Sequence, residues 1–137
     1  MAGSIVVTQS RLDAGVTKYA VAWTSDASGD VNANTFAMAS GTIVLVEFAP
    51  GASTPTNLYD VTMTDDLGVN VLGDGAGGSV GTDCLAAAAT AKVPFIIGAT
   101  GLFVRRFLHG GLYTPVVAAA GATKTGLINM YVAAALL

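Results

Sequence analysis

The sequence predicts an all-β fold, an antiparallel β-sandwich or jelly roll with room for one short helix. Short runs rich in Val, Ile, Thr and aromatic residues recur along the chain, separated by the Gly, Pro, Asp and Ser clusters that are typical of turns. Two of these runs, 16–24 and 58–64, alternate with the period of a half-buried strand. This number of short strands fits a sandwich or jelly roll better than an open sheet, and we expect a single β-sandwich domain that covers residues 1–137.

The strand predictions depend on this alternation and on β-branched content. In chain order, the predicted strands are 5–9, 16–24, 35–39, 42–48, 58–64, 69–72, 95–97, 102–108, 113–118 and 127–135. In the second strand, Tyr19, Val21 and Trp23 share the face that we expect in the core. The run 42–48 is almost wholly apolar, which predicts a strand covered on both faces.

The residue composition of the segments between the strands predicts turns, a loop and one short helix. Residues 25–30 and 65–68 predict turns, because Asp and Ser side chains bond their own backbone and Gly accepts a positive φ. Residues 73–81 contain so much glycine that a loop is predicted, since ordering glycine costs the most backbone entropy. The alanines of 84–91 favour a short helix.

Composition indicates a protein that hides apolar surface against other subunits. The 137 residues are 53% hydrophobic and 11% charged, whereas soluble domains carry about 25% charged residues. No apolar run approaches the ~20 residues of a membrane-spanning helix, and we expect no export signal at the N-terminus. A chain of this length buries about 70% of the surface of its unfolded state when it folds, so we expect contacts between subunits to cover part of the apolar surface that remains exposed.

Charge and cysteine content narrow the classes of function. Six basic and nine acidic residues give a formal net charge of −3, and the basic residues are scattered, so binding to nucleic acid is not expected. Cys84 is the only cysteine, which excludes a disulfide within the chain and any multi-cysteine metal site. A free thiol suits folding in a reducing cytoplasm.

Two motifs resemble ligand-binding loops but have simpler interpretations. Residues 73–78 satisfy the spacing Gly-x-Gly-x-x-Gly, yet no alternation of strands and helices surrounds them, and a flexible loop is favoured over a nucleotide site. Asp26, Ser28 and Asp30 have the spacing of the first ligands of a calcium loop. Val31 stands where Gly is expected and the closing Glu is missing, so a solvated turn is favoured.

The sequence predicts no enzyme, no catalytic residue, no metal and no cofactor. His109 lies beside two glycines, and no nucleophile or orienting carboxylate is evident near it, so a partly exposed turn histidine is predicted. Asp65 and Asp66 are adjacent, and in a turn they need not converge on a shared proton. Cys84 lies among alanines, where burial lowers thiol reactivity.

Five residues are candidates for a subunit interface: Arg105, Arg106, Val132, Leu136 and Leu137. The two arginines interrupt an apolar strand and point to opposite faces, so one of them could meet a carboxylate of another subunit. A solvated strand edge is the alternative. The uncharged C-terminal tail would be a liability as a free sheet edge, although a last strand inside its own sandwich is equally compatible with the sequence.

Four short motifs resemble those of small β-rich virion structural proteins of tailed bacteriophages. They are an early strand ending in Trp-Thr-Ser-Asp (23–26), a Pro-Gly turn (50–51), the stretch Pro-Thr-Asn-Leu-Tyr-Asp-Val-Thr (55–62) and Lys-Thr-Gly before the last strand (124–126). The resemblance spans most of the chain but is short at each point. The segment 102–113 and the C-terminus are more apolar than that pattern, which favours tighter assembly.

The resemblance implies a capsid decoration or cement subunit on the exterior of a phage head. Its expected partners are the major capsid protein and further copies of itself, with a trimer as the candidate oligomer. Neither nucleic acid nor membrane is an expected partner, on the grounds of charge and apolar run length given above. A tail, collar or head-to-tail connector subunit is the alternative among structural proteins. From another class, a small carbohydrate- or surface-binding module could use Trp23 or Tyr113 to stack on a sugar, provided that these rings are exposed.

Overall fold

The computed structural model describes residues 3–32, 34–56, 59–72, 85–86, 91–93 and 106–134. The all-β prediction is confirmed, because no α-helix occurs within these ranges. The strands are β1 (Ser4–Arg11), β2 (Val16–Thr24), β3 (Phe36–Met38), β4 (Gly41–Pro50), β5 (Tyr59–Thr64), β6 (Leu85–Ala86), β7 (Ala91–Val93), β8 (Arg106–Leu108), β9 (Gly111–Ala118) and β10 (Thr125–Ala133). One 3-10 turn, Asp13–Gly15, joins β1 to β2.

The strands form two antiparallel sheets. The larger sheet has the order β1-β2-β10-β4-β7, and β8 also pairs with β4. The smaller sheet has the order β3-β9-β5-β6. Strand β10 lies between β2 and β4 from Gly126 to Ala133. The last described strand is therefore interior to the larger sheet, as in the alternative that placed it inside its own sandwich.

Aromatic side chains join the two sheets in a β-sandwich-like arrangement. Tyr19, Val21 and Trp23 are at most 2% exposed, which confirms the face predicted for β2. The Trp23 ring lies 5.3 Å from the ring of Tyr59 in the smaller sheet, and Tyr19 lies 6.3 Å from Phe36. Both contacts belong to one cluster of buried residues that draws on both sheets. Within the described residues, no helix is long and apolar enough to cross a membrane.

The helix predicted at 84–91 is wrong in the part that can be compared. Leu85–Ala86 is strand β6, paired with the start of β5. Ala91 opens strand β7, which pairs with Val46–Phe48 of β4. Residues 84 and 87–90 lie outside the described residues. The intrinsic helix propensity of alanine is a weak predictor of structure. A short helix is only marginally stable without tertiary contacts, whereas here strands β5 and β4 provide backbone hydrogen bonds to these residues.

The prediction that 42–48 is covered on both faces is wrong at Val44, which is 38% exposed. Strand β10 pairs Tyr131 with Leu45 but the next residue, Val132, with Ile43, so the register shifts and Val44 has no opposite partner. This is a β-bulge, and an extra residue in a bulge is left outside the regular alternation of faces.

The hairpin strand predicted at 69–72 is replaced by a turn stabilised by a side chain. A single bridge, between Thr64 and Asn70, pairs this segment with β5. Asn70 is buried, and its Oδ1 accepts hydrogen bonds from the backbone N–H groups of Met63 and Leu72. The amide oxygen thus satisfies two backbone donors that a longer strand ladder would otherwise have to pair.

Candidate functional site

The register of the smaller sheet brings two distant segments together at one end. Thr64, the last residue of β5, pairs with Thr114 of β9. The loop 65–69 that follows β5 and the residues 109–110 that precede β9 therefore lie at the same end of the sheet, because antiparallel neighbours place the end of one strand beside the start of the other. This end of the sheet carries the candidate site.

The loop 65–69 is a tight turn organised by its first residue. Asp65 Oδ1 accepts hydrogen bonds from the backbone N–H groups of Leu67 and Val69, each at 2.9 Å. The Gly68 N–H donates to the Asp65 carbonyl at 3.1 Å, and Gly68 has a φ of 81°, a conformation that glycine adopts without steric cost. One carboxylate oxygen is thus used inside the loop, and Oδ2 remains for other contacts.

The same turn occurs at residues 26–30, where the sequence resembled part of a calcium loop. Asp26 Oδ1 accepts from the N–H groups of Ser28 at 2.8 Å and Asp30 at 3.0 Å, and Gly29 has a φ of 93°. The backbone N–H of Asp30, followed by weaker contributions from Ser28 and Gly29, lowers the pKa of Asp26. This carboxylate therefore stabilises its own turn, as the simpler interpretation predicted.

His109 faces the carboxylates of Asp65 and Asp66. Its Nε2 lies 3.3 Å from Asp65 Oδ2 and 3.4 Å from Asp66 Oδ1. Its Nδ1 lies 3.4 Å from the carbonyl of Gly110, and since a carbonyl only accepts, Nδ1 carries the proton in that contact. The buried Tyr113 donates its hydroxyl to the His109 carbonyl, which fixes the backbone at this position.

These contacts set the charges at the site. The Gly110 carbonyl and then the Asp65 carboxylate raise the pKa of His109. Burial raises the pKa of Asp65, but the N–H groups of Val69 and Leu67 together with His109 outweigh burial, and the net pKa is lowered. Burial, followed by the charges of the two aspartates, raises the pKa of Tyr113. These pKa shifts favour an ionised Asp65 carboxylate beside a protonated His109.

The sequence-based interpretation missed this cluster. It found no carboxylate near His109, which is wrong, and it gave no reason for Asp65 and Asp66 to face a common partner. The prediction of a partly exposed turn histidine is confirmed, because the His109 side chain is 46% exposed. His109 and Asp65 are 44 residues apart, so only the pairing of β5 with β9 could have revealed the contact. Among the described residues, the hydrogen-bond and ion-pair contacts of the His109 ring nitrogens include no hydroxyl or thiol.

Two of the five predicted interface residues, Arg106 and Val132, lie within the described residues. Val132 is 4% exposed and packs in the chain's own core, because the alternation of β10 turns it toward the sandwich, and its side chain offers no surface to a partner. The backbone of Arg106 pairs with Ile43 at the edge of β4. Arg105, Leu136 and Leu137 lie outside the described residues, as do Cys84 and the glycine-rich segment 73–81.

Exposed apolar side chains lie elsewhere on the surface. Leu67 in the loop after β5 is 82% exposed, Val6 on β1 is 68% exposed and Leu112 on β9 is 54% exposed. Strand β1 pairs only with β2 among the described strands. An eight-residue edge strand with an exposed valine is a surface that can pair with another chain.

The two aromatic residues considered for sugar stacking are buried. Trp23 is 2% exposed and Tyr113 is 0% exposed, so neither ring face is open to a ligand. The carbohydrate-binding interpretation therefore loses both of the residues on which it was based. Comparison with known proteins finds no family model, no curated protein and no solved structure that matches the chain.

Proposed function

We propose that this chain is a structural protein of a tailed-phage virion, a decoration or cement subunit that binds across neighbouring capsid subunits on the exterior of the head. A tail, collar or connector subunit is the second candidate. The proposal draws on the resemblance at residues 23–26 and 55–62 and on the low charge of an all-β chain with exposed apolar residues. Its partners would be the major capsid protein and other copies of the same chain.

The observation that carries the proposal is uncovered apolar surface on a chain with few charges. Leu67, Val6 and Leu112 are more than half exposed, while only 11% of the residues are charged. Each of these side chains is a place at which contact with another protein would remove apolar surface from water. A cement subunit needs such surface and no chemistry, because it stabilises the shell by binding the assembled form in preference to free subunits.

The first test is the copy number of the chain in purified virions, measured by quantitative mass spectrometry against the major capsid protein. A ratio near equimolar supports a cement subunit. A few copies per particle would move the assignment to the tail or connector. Complete absence from the particle would refute a virion role.

A binding assay adds a matched pair of variants. Heads that lack the chain are mixed with the purified protein and separated by sedimentation. We expect Leu67→Ser to weaken co-sedimentation, because it removes the most exposed large apolar side chain of the described residues. Asp13→Asn, an exposed change in the turn between β1 and β2, serves as the control and should bind as the wild type does. Equal binding of both variants would remove Leu67 from the contact.

A further inference from the structure

Three atoms that commonly ligate metals converge at the end of the smaller sheet. The ligand-type atoms of Asp65, Asp66 and His109 all lie within 4.8 Å of one another. The two distances from His109 Nε2, to Asp65 Oδ2 and Asp66 Oδ1, are 3.3 and 3.4 Å. A Zn²⁺ ion binds imidazole nitrogen and carboxylate oxygen at about 2.0–2.2 Å. Zn²⁺ sites in proteins are commonly tetrahedral, and two ligand atoms at these bond lengths are then about 3.3–3.5 Å apart. Both distances from His109 Nε2 match this separation.

The cluster is held in place before any ion binds. Asp65 Oδ1 is fixed by the N–H groups of Leu67 and Val69, and this side chain is only 8% exposed, so Oδ2 is held toward His109. Tyr113 anchors the His109 backbone. The His109 Nδ1–H donates to a backbone carbonyl, so Nε2 is the ring nitrogen that faces the carboxylates, and an ion that binds there displaces its proton. Metal-binding histidines are typically oriented through the other ring nitrogen in this way.

We propose that Asp65, Asp66 and His109 form a site for a divalent transition-metal ion of the Zn²⁺ class, with the remaining coordination open to water. One imidazole and two carboxylates suit Zn²⁺, whereas Ca²⁺ and Mg²⁺ take oxygen ligands. Without a metal ion, the Nε2 proton of His109 lies between the two carboxylates, and a bound ion would replace that proton. The His109 and Asp66 side chains are 46% and 60% exposed, so an ion can enter from solvent. This site does not depend on the proposed virion role.

The test is calorimetric titration of the tag-free protein with ZnCl₂ after treatment with a chelator and dialysis. We expect one Zn²⁺ per chain. His109→Ala and Asp66→Asn should each weaken binding by at least about tenfold, because losing a ligand costs at least as much as losing a partner that orients one. Asp65 is left unchanged, since its carboxylate also organises the loop. The absorption spectrum of bound Co²⁺ reports the coordination geometry independently.

Two control variants separate this site from other zinc ligands. Asp13→Asn removes an exposed carboxylate elsewhere, and Cys84→Ser removes the only thiol; both should bind Zn²⁺ as the wild type does. Melting curves establish that each variant is folded. The proposal is overturned if the wild type binds no stoichiometric Zn²⁺, if both His109→Ala and Asp66→Asn retain full affinity, or if Cys84→Ser alone abolishes binding. Displacement of Zn²⁺ by millimolar Mg²⁺ or Ca²⁺ would overturn the ion class.

Discussion

Gly126 gives the sharpest test of how the sandwich is packed. It lies in β10, opposite Trp23 of β2, and the indole covers the space that a side chain would occupy. A Cβ at this position would lie 2.3 Å from Trp23 Cζ2 and 2.5 Å from Cε2. Carbon atoms in contact are about 3.5–4.0 Å apart, so Gly126→Ala requires the ring or the strand to move by about 1.2 Å.

The direction of the effect depends on two opposing contributions. Replacing a strand glycine with alanine is worth about 0.5–1 kcal/mol of backbone entropy, whereas overpacking a core costs about 1–3 kcal/mol. The Trp23 ring is buried and lies against Tyr59 of the other sheet, so it has little room to move. We therefore expect a net loss of about 1–2 kcal/mol. With an unfolding entropy of about 2.1 cal/mol/K per residue, this lowers the Tm by about 3–7 °C.

Thermal unfolding followed by circular dichroism measures this change, with Gly111→Ala as the matched control. Gly111 is also a strand glycine, but the nearest atom to its Cβ would be His109 Nδ1 at 3.6 Å, an ordinary contact. In a Trp23→Phe background, Gly126→Ala should cost less, because the smaller ring leaves space, and a double-mutant cycle reports that coupling. A Gly126→Ala protein as stable as Gly111→Ala would refute the close packing of Trp23 on β10.

Three further predictions concern the turns and the buried rings. Asp26→Ala should lower the Tm more than Asp26→Asn, whose amide oxygen can accept the same two N–H groups. Because the folded pKa of Asp26 is lowered, its charge stabilises the fold above the ordinary value of 3.8, and the advantage of the wild type over Asp26→Asn in urea titrations should shrink as the pH falls through the folded pKa. Burial raises the pKa of Tyr59 to about 12, so an absorbance titration should show one phenol that ionises at a higher pH than an ordinary tyrosine. The protein should lose stability as the pH rises from the ordinary pKa of 10.0 through the folded pKa. Tyr59→Phe should remove this high-pH component of the titration. Since the Tyr59 hydroxyl is buried and has no hydrogen-bond partner among the described residues, Tyr59→Phe should not destabilise the protein at neutral pH. The emission of Trp23, the only tryptophan, should be blue-shifted and resist iodide quenching; strong quenching would show that the ring is exposed.

Local patterns in the sequence predicted much of the fold. The alternation of Tyr19, Val21 and Trp23 assigned the buried face of β2, and the bounds predicted for that strand, 16–24, are those observed. The composition of 25–30 and 65–68 predicted turns, and both are tight turns organised by an aspartate. These features depend on steric contacts and hydrogen bonds between residues that are close in sequence, and such local interactions do not require knowledge of the tertiary structure.

Other features required knowledge of which strands are neighbours. The sequence left the last strand as either a free edge or an interior strand, and its place between β2 and β4 was decided by long-range pairing. Val44 and the alanines of β6 and β7 departed from prediction for the same reason, since a bulge and two edge strands depend on partner strands that local propensity does not describe.

The candidate site likewise combines features that are local in sequence with features that depend on the tertiary structure. The sequence by itself determined that Asp65 begins a turn and that His109 precedes a strand beside two glycines, because both are local properties of the chain. Only the tertiary structure decided that Asp65, Asp66 and His109 meet, since they come together through the antiparallel register that pairs Thr64 with Thr114. Register over such a separation is set by the burial of whole strand faces in a shared core, and no short segment of the sequence carries that information.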